Sequence, residues 1–244
     1  MIDFILKAFE LKDEERAGWQ LRGVRRPESV GDHSWGTAVL CWLYAPVATS
    51  EARAEEEAVD RARALAMAVF HDIAEAQMGD VATRVHESER AIPQEEKQRR
   101  EREAFATMRS LLHGAGVSGG GGAAYDSADS VSGAAGNAGT GAAASRSETA
   151  AELTDLWQEY EDGSSATARF VRDMNLCDMC AQALFYERHR RYDAAADSPA
   201  FRNFGALDEF FETSRRRIST EVGGRLFEEL ERRYRRERES QPGA

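Results

Sequence analysis

The sequence predicts an all-α protein that forms a single domain over residues 1–244. Apolar residues recur at helical spacing through most of the chain, and no segment alternates polar and apolar residues as a half-buried strand would. Apolar residues make up 42% of the 244 positions, enough for a sizeable core, and 31% of the residues are charged. This composition is typical of a helix-rich globular protein.

The first long helix is predicted over residues 30–44. Ser29 and Asp32 have the spacing of a capping box, and the apolar character from Ala38 onward indicates a central position in the bundle. Pro46 lies just beyond the predicted end, where a proline terminates a helix.

The remaining helices follow from the same periodicity. Gly79 is a plausible stop signal for the second helix, and Pro93 suits the first turn of the third. The break at Asp162 and Gly163 separates two further helices. The predicted ranges are 51–77, 95–112, 148–160, 164–192 and 206–238, so that five to seven helices are expected in all.

Residues 114–147 have an unusual composition. This segment contains ten of the twenty glycines and ten alanines. Because it offers little apolar surface to bury, we expect a disordered Gly/Ala-rich insertion there, and a flexible tail at residues 239–244.

Charge and cysteine content exclude several classes of protein. The net charge of −11 argues against non-specific binding to nucleic acid or to an anionic membrane. No apolar run is long enough for a membrane span, the N-terminus does not resemble a secretory signal, and we predict a cytoplasmic location. Cys177 and Cys180 have redox or zinc spacing, but the chain has only one other cysteine, so a buried structural pair is the better interpretation.

Ionisable residues follow an apolar helix segment, where burial is expected. His71, Asp72 and Glu75 lie there, and His33 begins the other helix predicted to be central. Buried groups of this kind need partners, and a metal ion satisfies an imidazole and a carboxylate together. An ordinary hydrogen-bonded pair at a helix end is the alternative for His71 and Asp72.

Four motifs in order give the sequence a specific resemblance. They are residues 25–33 (RRPESVGDH), 71–75 (HDIAE), 79–80 (GD) and 92–97 (IPQEEK), and residues 157–160 (WQEY) continue the similarity. Together they resemble the HD-domain phosphohydrolases, most closely the 5′-deoxynucleotidase subgroup. The resemblance implies an HD-domain helical bundle with a divalent metal ion, which we expect to be Mn²⁺, Co²⁺ or Mg²⁺.

The resemblance also implies a set of metal ligands. His33, His71 and Asp72 match three of them. Asn175 stands where the family usually has a final aspartate, and an amide oxygen can bind a divalent ion but brings no charge. Asp178, on the same helix face as Asn175, is an alternative fourth ligand.

The remaining site residues are also expectations carried by the resemblance. Glu75 and Asp80 would handle protons in the reaction, the alternative being solvent-facing carboxylates. Trp19 matches a position that lines the sugar pocket, although a core aromatic is almost equally plausible. Arg22 or Arg25 would hold the 5′-phosphate of the substrate as a bidentate donor.

The expected function is metal-dependent release of phosphate from (deoxy)nucleoside 5′-monophosphates. Because Asn175 departs from the family pattern, the alternative is a weak or inactive HD protein that binds a nucleotide or a protein partner. A homodimer through the segment with Phe204, Leu207, Phe210 and Phe211 is possible, but this segment could equally pack on the bundle. Because the motifs lie on both sides of residues 114–147, we expect deletion of that segment to leave activity largely intact.

Overall fold

A computed structural model describes residues 1–51, 58–113, 138–193 and 203–240. These residues form α-helices and short 3₁₀ turns without a strand, apart from an isolated bridge between Glu15 and Ser29, which confirms the all-α prediction. The helices are α1 Ile2–Phe9, α2 Ala17–Leu21, α3 Val30–Glu51, α4 Arg61–Phe70, α5 Glu75–Met78, α6 Gln94–Leu112, α7 Ala138–Asp162, α8 Ala166–Arg188, α9 Asp208–Arg215 and α10 Glu221–Glu239. The sequence did not predict α1 and α2, which are short and precede the first strong periodic segment.

Helix α8 forms the centre of the bundle. It packs against α3, α4 and α10, and many of its side chains are buried, including Phe170, Met174 and Tyr186. Cys177 and Cys180 are buried free thiols in this core, which confirms the structural interpretation of the pair. Across the described ranges, no helix combines the length and apolar character that a membrane span requires.

Helix α3 is longer than predicted, because Pro46 lies inside it rather than beyond its end. Proline has no N–H to donate to the carbonyl four residues earlier, which here belongs to Trp42. The Arg61 guanidinium at the start of α4 donates to that Trp42 oxygen over 3.0 Å and stacks on the Trp42 ring. A neighbouring helix therefore satisfies the carbonyl that the proline cannot.

The helix predicted over residues 51–77 is wrong in its extent. Helix α4 begins only at Arg61, where the Asp60 carboxylate caps it by accepting from the Arg63 N–H, and residues 52–57 lie outside the described residues. The chain then turns through residues 71–74 before the short helix α5. Gly79 ends α5 with a φ of 75°, as its position in the sequence predicted.

Helix α7 begins ten residues earlier than the segment 148–160 predicted, because Ala138 to Ser147 are helical. The last ten residues of the predicted insertion are therefore helical, while residues 114–137 lie outside the described residues. The run of three alanines at 142–144 explains the difference, since alanine has the highest helix propensity. Gly163 ends α7 with a φ of 58°, as predicted.

The helix predicted over residues 206–238 is two helices, α9 and α10. The break is stabilised by Asp173 of α8, which is fully buried and accepts hydrogen bonds from the backbone N–H groups of Ser219 and Thr220 at 3.1 and 2.7 Å. Leu207 and Phe211 are buried in the main core. This segment therefore packs on the bundle.

Candidate active site

A cavity opens between α2, the loop after α5, the first half of α6, the end of α7, the first half of α8, and α9. Five residues to which the sequence analysis gave a role in the site line this cavity: Trp19, Arg22, Glu75, Asp80 and Asn175. Asp72 also lines it. His33 and His71 lie directly behind Asp72, in the first turn of α3 and in the turn that follows α4.

Three of the predicted metal ligands form one buried cluster. The Asp72 Oδ2 atom lies 3.1 Å from His71 Nε2 and 3.7 Å from His33 Nε2, and the two imidazole rings are 5.4 Å apart. Both Nε2 atoms are buried and have no hydrogen-bond partner in the described structure. Buried polar atoms are nearly always satisfied, so two convergent orphan nitrogens beside a carboxylate fit a bound cation.

In both histidines, the contact of the Nδ1 atom determines that the Nε2 atom faces Asp72. The Nδ1 atom of His71 lies 2.9 Å from the carbonyl oxygen of Ala68, which can only accept, so Nδ1 carries a proton and Nε2 is the atom that faces Asp72. Although burial alone would lower it, the Asp72 carboxylate holds the pKa of His71 above its usual value, so a metal ion would replace a proton at Nε2. Burial and the nearby Arg16 guanidinium lower the pKa of His33 to about 3, so that this imidazole is neutral at neutral pH. Neutral imidazoles are the form that binds metal ions.

Asp178 lies on the far side of His33 from the cluster. Its Oδ2 atom is 2.7 Å from His33 Nδ1, the nitrogen across the ring from the one that faces Asp72. A carboxylate in this position orients a metal-binding histidine from behind. Gly36 makes room for it, because a Cβ atom there would lie 2.1 Å from Asp178 Oδ1.

Asn175 lines the cavity one turn before Asp178 on α8. Its Nδ2 atom donates to the Tyr160 hydroxyl over 2.7 Å, and no hydrogen bond to its Oδ1 atom forms within the described part of the chain. The Tyr160 ring packs on His71 with 5.2 Å between ring centroids. Tyr160 therefore connects the Asn175 amide with His71, and the amide oxygen is free to accept a further partner.

Arg16 joins the acidic residues of the cavity, and sequence reasoning assigned it no role. Its Nη1 atom lies 3.1 Å from Asp72 Oδ2, and its Nε atom lies 3.6 Å from Asp80 Oδ2. Although burial alone would lower it, the carboxylates of Asp80, Glu75 and Asp72 hold the pKa of Arg16 above its usual value. Its position three residues before Trp19 is the feature of the sequence that could have indicated a role for Arg16. Lys97, the last residue of the motif at 92–97, also lines the cavity.

The two predicted proton-handling residues differ in their surroundings. Burial and the nearby carboxylates of Asp72 and Asp80 hold the pKa of Glu75 well above its usual range, and its Oε2 atom has no hydrogen-bond partner among the described residues. Asp80 instead accepts from the Ala17 N–H over 2.7 Å in addition to its contact with Arg16. The cavity therefore contains one carboxyl group whose protonated form is favoured by its surroundings, Glu75, and one that is held by two donors, Asp80.

Comparison with known proteins agrees with this geometry. The family model described as HD domain matches residues 8–206. This chain belongs to the HD domain family. Human 5′-deoxynucleotidase HDDC2 is 30% identical over 187 residues, which are 77% of this chain and 68% of the human protein. Fission yeast (Schizosaccharomyces pombe) 5′-deoxynucleotidase hdd1 is 27% identical over 207 residues, 85% of this chain and 81% of the relative.

Solved structures show the same HD fold. The PH0347 protein from Pyrococcus horikoshii is 25% identical, with a TM-score of 0.59 and coverage of 96% of this chain and 99% of that chain. A predicted metal-dependent phosphohydrolase from Magnetospirillum magnetotacticum is 22% identical, with a TM-score of 0.57, and matches 99% of this chain and 94% of its own. The second similarity supports the fold alone.

Trp19 of the HD cavity is both a wall and a core residue. It is 1% exposed, stacks on Phe210 of α9 at 3.9 Å, and donates from Nε1 to Glu28 over 2.8 Å. Gly18 allows this stack, since a Cβ atom there would lie 3.1 Å from the Phe210 ring. A contact between Trp19 and the sugar of a substrate stays a prediction.

The two arginines predicted to hold a phosphate are placed differently. Arg22 lines the cavity, but its buried guanidinium donates to the carbonyl oxygens of Phe204 and Ala206 and forms an ion pair with Glu209. Arg25 is exposed, donates to the carbonyl oxygen of Arg190, and is not among the residues that line the cavity. The structure therefore does not bring Arg25 together with the other site residues.

Proposed function

We propose that this protein is a metal-dependent phosphohydrolase that releases phosphate from deoxynucleoside 5′-monophosphates. The observation that carries the proposal is the buried cluster in which two unpaired imidazole nitrogens, of His33 and His71, converge on the Asp72 carboxylate. The relatives named 5′-deoxynucleotidases support the choice of substrate class.

The proposed metal ligands are His33 Nε2, His71 Nε2, Asp72 Oδ2 and the amide oxygen of Asn175. Asp178 is assigned the role of orienting His33 rather than that of a ligand, because it already contacts the opposite ring nitrogen. A divalent ion bound there would polarise a phosphate oxygen and lower the pKa of a water molecule for attack on phosphorus.

Glu75 and Asp80 are proposed to move protons in the reaction. Glu75, whose pKa is raised by burial and by the nearby carboxylates of Asp72 and Asp80, can donate a proton to the leaving nucleoside oxygen. Asp80, kept in place by the Ala17 N–H and Arg16, can accept a proton from the attacking water. Arg16 contacts both Asp72 and Asp80, and it presents a cation to the phosphate.

A phosphate-release assay tests the proposal directly. Chelator-stripped protein is supplied with Mn²⁺, Co²⁺ or Mg²⁺ and assayed with deoxynucleoside and ribonucleoside 5′-monophosphates. We expect release that depends on added metal and is faster with the deoxynucleotides. If no metal supports release from any of these nucleotides, the proposed activity is wrong.

The His71→Ala variant provides the matching site test. We expect it to lose turnover by at least roughly a thousandfold, because it removes a ligand and opens the metal centre. The His113→Ala variant is the control, since His113 lies at the end of α6 and is exposed. Retained activity in His71→Ala would refute the metal assignment.

Asn175 favours a second candidate function, that of a weak or inactive HD protein that binds a nucleotide or a protein partner. An amide contributes no charge to the centre, so the metal ion would be held less tightly than by the usual aspartate. Nucleotide binding in calorimetry without phosphate release would support this candidate.

A further inference from the structure

A second recess continues from the cavity past Asn175. It is lined by Arg169, Arg172 and Arg217, which we call the arginine recess, and Asp162 is the one carboxylate among its lining residues. Arg172, Asn175 and Arg217 also line the main cavity, so the two spaces share a wall. In a chain with a net charge of −11, three arginines against one carboxylate are an unusual local excess of positive charge.

Two arginines of the recess donate to backbone carbonyl oxygens, and none of the three forms an ion pair within the described residues. Arg172 Nη1 donates to the carbonyl oxygen of Glu161 over 3.2 Å, and Arg169 Nη1 donates to that of Gly163 over 3.3 Å. Within the described residues, no carboxylate lies within ion-pair distance of these two guanidinium groups or of Arg217. The oxygens of Asp162 accept instead from Gln158 Nε2 at 3.1 and 3.2 Å.

The other cations of the main cavity are paired with acids. Arg16 contacts Asp72 and Asp80, and Lys97 lies 3.1 Å from Glu101. Arg22 and Arg84 likewise share the carboxylate of Glu209. The arginine recess therefore holds the cavity-lining cations of the described chain that form no ion pair, and an arginine with unused donors is well suited to a phosphate group.

The loop between α7 and α8 is shaped around Arg172. Gly163 has a φ of 58°, and a Cβ atom there would lie 2.7 Å from Arg172 Nη1. The backbone of Ser219, which closes the recess next to Arg217, donates to the buried Asp173 carboxylate. The backbone on both sides of the recess is therefore fixed by the fold. This reduces the conformational entropy that the protein loses when it binds an anion there.

Asn175 makes the recess suitable for an anion. An aspartate at this position would add a negative charge beside Arg172 and Arg217, whereas the amide adds none. Asn175 also connects the recess with the metal centre, through its hydrogen bond to Tyr160 and the packing of Tyr160 on His71.

We propose that Arg169, Arg172 and Arg217 form a subsite for a second phosphate group of a nucleotide whose first phosphate lies at the metal centre. This inference rests on the proposed function, because that function places the first phosphate. The ligand class is a nucleotide with two phosphate groups, either a 5′-diphosphate or a 3′,5′-bisphosphate, which differ in how far the second phosphate lies from the first.

Binding of three nucleotides to the full-length protein tests the subsite. Deoxyadenosine 5′-monophosphate, 5′-diphosphate and 3′,5′-bisphosphate are titrated by calorimetry at constant ionic strength, with and without EDTA, which stops metal-dependent turnover. We expect one of the two-phosphate ligands to bind about tenfold more tightly than the monophosphate, and which one does so identifies where the second phosphate is attached. Affinities within twofold of the monophosphate for both ligands would overturn the proposal.

Variants separate the subsite from general charge attraction. Arg217→Gln should reduce the preference for the two-phosphate ligand about tenfold, because it removes a donor that makes no hydrogen bond within the described chain. Arg216→Gln is the control, since Arg216 is exposed and paired with Glu212 outside the recess. An unchanged preference in Arg217→Gln would contradict the subsite.

The outcome is also distinguishable from a failure of the proposed function. If no nucleotide releases phosphate but the binding preference is present and sensitive to Arg217, the subsite stands and the activity does not. If phosphate is released without any preference, the activity stands and the subsite does not.

Discussion

Individual residues of the candidate site could be predicted where a sequence motif contains them. His33, His71 and Asp72 are brought together as the motifs predicted, because each belongs to a rigid element or turn. The role of Asp178 could not be read from helix periodicity. Residues three apart share a helix face, but the side-chain rotamer and the position of α3 direct Asp178 to the outer nitrogen of His33.

The role of Asn175 as a metal ligand can be tested by the replacement Asn175→Asp. We expect it to raise affinity for the divalent ion roughly tenfold and to raise turnover, because a carboxylate adds a charge to the ligand set. The Tyr160 hydroxyl, which now accepts from Nδ2, can donate to the new carboxylate, so the local structure should be kept. Metal titration by calorimetry and the phosphate-release assay measure the two effects.

The control for this test is Asn175→Ala, which should weaken metal binding below the level of the unmodified chain. If Asn175→Asp changes neither affinity nor turnover, Asn175 is not a ligand. An Asp at this position would also place a negative charge beside Arg172 and Arg217, so a reduced affinity for the two-phosphate nucleotides is expected in the same variant.

At the scale of elements, the sequence predicted the helices but not all of their boundaries. Helix α3 passes through Pro46 because a distant side chain, Arg61, satisfies the freed carbonyl. The predicted C-terminal helix divides into α9 and α10 because Asp173 binds the backbone between them. Both boundaries depend on contacts between residues far apart in the sequence, which local periodicity does not contain.

The contact between Asp173 and the backbone before helix α10 should contribute to the stability of the fold. Asp173→Ala should lower the free energy of unfolding by about 2 to 4 kcal/mol, because it leaves two backbone N–H groups at the start of α10 without their buried acceptor. Gly223 leaves space for this carboxylate, with an added Cβ atom only 2.5 Å from Asp173 Oδ2. Urea denaturation followed by circular dichroism measures the change.

Asp155→Ala is the matched control for Asp173→Ala. Asp155 is exposed on α7, and its replacement should change the free energy of unfolding by less than about 0.5 kcal/mol. An equally small effect of Asp173→Ala would show that the connection between α9 and α10 does not depend on this carboxylate.

At the scale of the whole molecule, the site is assembled from both sides of residues 114–137. His33, His71 and Asp72 precede this segment, whereas Tyr160 and Asn175 follow it, and all five lie at or directly behind one cavity. The match to the HD domain also extends across the segment. The proposed metal centre therefore draws residues from both sides of the segment.

This arrangement sharpens the expected effect of removing the Gly/Ala-rich segment. Replacing residues 114–137 by a short Gly-Ser linker should keep phosphate release and the thermal midpoint close to those of the full chain, because no residue of the described site belongs to the segment. Replacing 114–147 should be more harmful, since it also removes the first residues of α7, the helix that carries Tyr160 into the cavity. Loss of phosphate release in a folded 114–137 variant would show instead that the segment contributes to the site.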